Sequence, residues 1–197
     1  MGPRGQKRHD ELLNAALELF GANGYESTST RSVAEHTGVT EAVLFQHFPT
    51  KRDLFLAVLE RFGPAQLIRL PVEELDALPL KEALAQQITV FLDASWENRH
   101  WLHVLFHTAK REPEAGQELR RQYESVREGV RRLLERRAER GEMRQEMTEA
   151  ALMTVHFAMR GFNARSWHSP SEHREQDRDE FVASLAAVVT EGVAVRG

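Results

Sequence analysis

The stretch from "GANG" to Pro49 constrains this chain most, because its breakers leave room only for short helices. Glycine closes a first helix at "GANG", and "TGVT" forces a turn between residues 36 and 41. Pro49 ends whatever follows. Two segments remain, a helix from about Thr30 to His36 and another over about 41–47. Winding 41–47 at about 100° per residue puts Leu44 toward a core, with Phe48 one turn on. Ala42 and Gln46 then face solvent, flanked by Val43 and Phe45. Apolar side chains beside an outward face need a reason. Two short helices joined by a glycine turn form a helix-turn-helix unit, whose second helix can enter the DNA major groove. There Val43 and Phe45 can meet thymine methyls and deoxyribose, and Gln46 a base edge. A hairpin whose apolar flanks pack on a neighbouring helix is the other reading of the turn alone.

The chain has 197 residues, 41% apolar and 28% charged, so a globular fold is expected, as one domain or a small one joined to a larger one. With no cysteine, disulfides, zinc–thiolate sites and thiol nucleophiles are excluded. The polar start "MGPRGQKRHDELL" lacks a signal segment, and no apolar run nears the ~18 residues of a membrane span. The expected setting is cytoplasmic. Net charge is −4, and residues 1–62 carry seven Lys or Arg against eight Asp or Glu. DNA binding must therefore come from local placement of charge, not bulk attraction.

Apolar spacing is helical almost throughout, so the expected class is all-α. Leu12, Leu13, Ala16, Leu17 and Phe20 form the first stripe. Thr50 and Asp53 have the spacing of an N-terminal cap, opening a fourth helix through Leu54, Phe55, Val58 and Leu59. "GPAQLIRLPVEELDALPL", with three prolines, is the expected boundary region. Helices are expected from about 80, over about 99–110, and over 113–140. In the last of these Leu119, Tyr123, Val126, Val130 and Leu133 make a heptad-like seam. Its arginines, Arg120, Arg121, Arg131, Arg132, Arg136 and Arg137, read as a solvated face with glutamate partners rather than a nucleic-acid patch. Two helices close the chain, 149–162 and 179–195, with the polar loop "SPSEHREQDRD" between them. The first is apolar nearly all round and invites a second subunit as its cover.

"LLNAALELFGANGYESTSTRSVAEHTGVTEAVLFQHFPTKRDLF" resembles the N-terminal domain of the tetracycline-repressor (TetR) family over about residues 8–60. The matching features are Phe-Gly…Gly-Tyr, Thr-Arg opening helix two, Val-Ala then Gly-Val across the turn, Leu-Phe-x-His-Phe, and Thr-Lys-x-x-Leu. The resemblance implies a helix-turn-helix DNA-binding domain over 1–62, with a linking helix at about 50–62, and a helical ligand-binding and dimerisation domain over 63–197. It implies a homodimeric transcriptional regulator, usually a repressor, bound to a palindromic double-stranded operator and released by a small-molecule effector. The DNA-facing positions carried over are Thr30, Arg31, Glu41, Ala42, Val43, Phe45, Gln46, His47 and Lys51. Two departures stand out. Phe45 replaces a frequent tyrosine and loses a phosphate contact. Glu41 places an acid near DNA, to accept from cytosine N4 or merely to trim affinity.

No nucleotide-binding or catalytic motif occurs, so no enzyme activity and no cofactor are expected. An effector site is expected among Phe91, Trp96, His103, Phe106, His107, Met153, His156 and Phe157, with Trp101 and Trp167 as further walls. That set suits an apolar or aromatic ligand with one polar group. His100, His103 and His107 share a helix face, which keeps a metal-responsive regulator as an alternative. No carboxylate or thiol stands at ligand spacing beside them. An architectural DNA-binding protein without effector is the remaining alternative. The dimer is expected through helices at about 149–162 and 179–195, with Met159 and Leu185 in its interior.

Overall fold

Capping chemistry sets the limits of the N-terminal helices. The computed structural model describes residues 2–67, 72–168 and 172–194. Helix α1, Pro3–Asn23, begins at a proline and ends where Gly24, at φ 81°, donates its N–H to Phe20 O. Ser29 opens α2, Thr30–His36, with its Oγ accepting from Ser32 N–H at 2.9 Å. Gly38, at φ 66°, closes the turn: its N–H reaches Glu35 O at 3.1 Å and Val39 N–H reaches Ala34 O at 2.9 Å. Helix α3, Glu41–His47, and α4, Lys51–Phe62, follow with Thr40 and Thr50 as caps. After them come α5 (Pro64–Leu67), α6 (Val72–Asp76), α7 (Leu80–Glu97), α8 (Arg99–Ala109), α9 (Pro113–Glu139), α10 (Thr148–His168) and α11 (Arg174–Val193). Helix is the only regular structure among the described residues, as the apolar spacing implied.

Residues 2–66 and 98–122 form one compact unit. This grouping departs from a division near residue 62, and aromatic packing is the reason. Trp101 of α8 lies 5.8 Å from Phe55, itself 5.5 Å from Phe20 and 4.8 Å from Tyr25. Its Nε1 donates to Phe62 O at 2.9 Å, and Gln122 Nε2 donates to Leu59 O at 3.0 Å. Thus α8 and the start of α9 answer carbonyls that α4 leaves free at its end.

The second unit comprises the described residues of 67–97 and 123–194. Its core joins α7, α9, α10 and α11 through Leu84, Ile88, Leu134, Leu152, Val155 and Ala186. Two expectations fail here. Arg137 does not lie on a solvated face: it is 3% exposed, with Nη2 donating to Leu75 O and Asp76 O at 2.8 and 3.1 Å and Nη1 to Glu142 at 2.7 Å. One guanidinium thereby caps the short helix α6. The polar loop also ends early, because Arg174 and Arg178, one turn apart, both reach Asp93 of α7. Arg178 spans both carboxylate oxygens at 2.7 and 2.9 Å, and Arg174 stacks 4.4 Å over Trp96. Helix α11 therefore starts at Arg174. Other arginines of α9 do carry surface pairs, Arg131 and Arg132 with Glu128, and Arg136 with Asp76.

Candidate nucleic-acid interface

Helix α3 is held by what it buries. Leu44 is fully enclosed and Phe48 nearly so, while Ala42, Phe45 and Gln46 are exposed and Val43 half-buried. The outward face anticipated from helix geometry is therefore present, set on a packed base. The other anticipated residues have local partners. Thr30 donates its hydroxyl to Glu41 at 2.8 Å, so Glu41 ties α2 to α3. Arg31 pairs with Glu35 at 2.8 Å. His47 lies 5.9 Å from the His9 ring of α1. Lys51 donates to Glu26 O at 3.2 Å and sits 4.4 Å over Tyr25, and burial pulls its pKa below the ordinary lysine range. Next to it, Arg52 is paired with Glu114 at 2.5 Å and Glu112 at 3.7 Å. Sequence reading did not single out His9 or Arg52, because their neighbours come from distant helices.

Residues 12–58 match the model of the bacterial regulatory proteins, tetR family. Over that segment the chain is similar to the TetR family. Among curated relatives, the transcriptional activator FasR of Mycolicibacterium smegmatis is 44% identical over 59 residues, 30% of this chain and 26% of FasR. The nucleoid occlusion factor SlmA of Aliivibrio fischeri is 32% identical over 95 residues, 46% of this chain and 48% of SlmA. The chain thus spans a quarter to a half of these relatives' length. A TetR-family protein of known structure from Mesorhizobium loti superposes with a TM-score of 0.86 at 17% identity, covering 98% of this chain and 100% of that one. That likeness shows the fold alone.

The chain also encloses a cavity of about 20 Å³ in its second unit. Gln87 and Phe91 of α7, Tyr123, Val126, Arg127 and Val130 of α9, and Leu152, Val155, His156 and Met159 of α10 line it. Of the eight residues expected around an effector, Phe91 and His156 are there. His103, Phe106 and His107 belong to the first unit with α8, as does Trp101. His103 and His107 border an open groove with Tyr25, Glu26 and Arg111. Trp96 lies under Arg174, Met153 Sδ is 3.3 Å from Arg127 Nη2, and Phe157 is 60% exposed. These residues were grouped by residue type, and packing separates them. Gln87 was legible in principle, being a polar residue on the apolar stripe of α7. Burial, then Arg160 and Arg127, push the His156 imidazole below the usual histidine range, and burial pushes the Tyr123 phenol up. Among the described residues no three His, Cys, Asp or Glu converge on a metal-sized site, so the His100, His103 and His107 face supplies no ligand set.

Proposed function

We propose that this chain is a homodimeric, ligand-responsive DNA-binding regulator, acting as a repressor that a small apolar or aromatic effector releases from a palindromic operator. One observation carries the reading. The Gly38 turn presents Ala42, Phe45 and Gln46 outward on a helix anchored by Leu44 and Phe48. Gln46 reads a base edge, Val43 and Phe45 meet methyl and sugar surfaces, and Thr30, Arg31, His47 and Lys51 position the helix on phosphates. Glu41 serves mainly to fix Thr30 and lowers affinity slightly. Lys51 exchanges the Glu26 carbonyl for a phosphate oxygen on binding. Two copies pair through α10 and α11, and their recognition helices engage half-sites about 34–36 Å apart, or a multiple of that. An effector that prefers another spacing shifts the population off DNA, and a coupling of about 1–3 kcal/mol changes affinity roughly 5–150-fold.

Selection of bound DNA from a random pool should return one palindrome. On that site Lys51→Ala should weaken every sequence about equally and lower the salt slope by ~1, whereas Gln46→Ala should relax preference at one position of each half-site. Selection that returns no sequence, or an unchanged slope for Lys51→Ala, refutes the assignment. Tight binding to the palindrome with no release by any compound favours the architectural alternative.

A further inference from the structure

Two residues that line the cavity among α7, α9 and α10 each carry a buried polar atom without a partner among the described residues. Gln87 is 1% exposed, and its Oε1 has no hydrogen-bond donor among the described residues. Arg127 Nε is buried on the same lining without an acceptor, although Nη2 of that guanidinium pairs with Glu149 at 2.6 Å. Buried polar atoms in native proteins nearly always have partners, so two exceptions on residues lining one cavity ask for an occupant. Apart from Tyr123 and His156, the rest of the lining is apolar: Phe91, Val126, Val130, Leu152, Val155 and Met159.

Donor and acceptor chemistry selects among occupants. Gln87 Oε1 only accepts, so it requires a donor. Arg127 Nε–H only donates, so it requires an acceptor. A hydrocarbon supplies neither. A carboxylate supplies acceptors alone, so with the Gln87 amide oriented as it is here Oε1 would stay without a donor. An ammonium supplies donors alone and faces a guanidinium. A hydroxyl supplies both.

We propose that this cavity is the effector site and takes a neutral alcohol or phenol, whose hydroxyl donates to Gln87 while its hydrocarbon body lies against Phe91, Val130 and Leu152. The proposal rests on reading the chain as an effector-responsive regulator. The surrounding titratable groups agree with a neutral guest. His156 is held toward its uncharged form and Tyr123 keeps its proton at neutral pH. Size adds a mechanism. A cavity of about 20 Å³ matches a single water, whereas a benzene-sized body needs roughly 150 Å³. The ligand therefore binds a conformer in which these helices have parted, and that difference in affinity between conformers is what release requires.

The full-length chain, without DNA, is titrated by calorimetry and thermal shift with phenol, 4-ethylphenol, 2-naphthol and 1-octanol. Ethylbenzene, naphthalene and 4-ethylbenzoate serve as matched controls. At least one hydroxyl compound should bind 10-fold or more tightly than its hydrocarbon or carboxylate partner. Gln87→Leu should abolish that preference, and Gln87→Met guards against misfolding of the first variant. Equal binding of phenol and hydrocarbon, preference for the carboxylate, no binding by any hydroxyl compound, or an unchanged preference in a folded Gln87 variant each overturns the site. Operator release is measured separately. Hydroxyl compounds that bind through Gln87 without releasing DNA uphold the site and refute effector control. Release by compounds indifferent to Gln87 upholds effector control and refutes the site.

Discussion

At the scale of single residues, Gly63 shows how close packing dictates a residue type. A Cβ there would lie 2.0 Å from Gln122 Oε1 and 2.3 Å from Leu59 O. The amide can swing away, but the carbonyl belongs to the last turn of α4 and cannot. Gly63→Ala should therefore destabilise the chain by about 1–3 kcal/mol in urea unfolding, the usual cost of overpacking. Adding Gln122→Ala should recover little, because the Leu59 clash persists. A neutral Gly63→Ala would show that α4 can yield at its end. From sequence, Gly63 was readable only as part of a breaker-rich boundary. Gln122, its neighbour in space, gave no local signal. The same contrast holds in α3. Leu44 and Phe48 declared their burial through helix period, since their partners lie within one short unit. Glu41 gave no hint that it would hold Thr30, because that bond depends on the angle at which α2 and α3 meet.

Among the elements, those bounded by local chemistry were legible and those bounded by long-range pairs were not. Caps at Thr40 and Thr50, with Pro49 between them, set α3 and α4 where the sequence put them. The start of α11 was missed, for its first turn has no side-chain cap and reads as polar loop. What stabilises that turn is Asp93, eighty-odd residues away, bound by both Arg174 and Arg178. Charge-assisted hydrogen bonds of this kind contribute about 1.5–3 kcal/mol. Asp93→Ala should unfold the first turn alone: amides of residues 176–180 lose about tenfold protection in hydrogen exchange, while those of 185–193 do not. Equal loss along the whole helix would mean that Asp93 supports the core rather than the helix start. The residues expected around an effector lie apart for a related reason. Residue type marked His103, Phe106 and His107 as plausible lining, but Trp101 draws α8 into the first unit.

For the whole molecule, the proposed pairing of two copies through α10 and α11 depends on which side chains those helices leave exposed. Met159 and Leu185 were expected in the interface, yet at 4% and 9% exposure they already pack within one chain. The all-round apolar character of 149–162 serves that core first. Phe157 and Val188, at 60% and 64% exposure, are the large apolar side chains of these two helices left facing solvent. A charge at Leu185 would then test the core and not the dimer, unfolding the protein before any conclusion about assembly. Val188→Arg separates the two. An exposed substitution changes monomer stability by about 0.5 kcal/mol or less, whereas a charge in the centre of an apolar contact between copies opposes association strongly. Sedimentation should show wild-type dimers at micromolar concentration and Val188→Arg monomers of native helicity. Those monomers should bind a single half-site weakly and lose the palindrome, because two recognition helices no longer arrive at a fixed spacing. Phe157→Asp should act in the same direction. If Val188→Arg stays dimeric and keeps its operator, the copies meet through another face, and the exposed pair on α10 and α11 has no part in assembly.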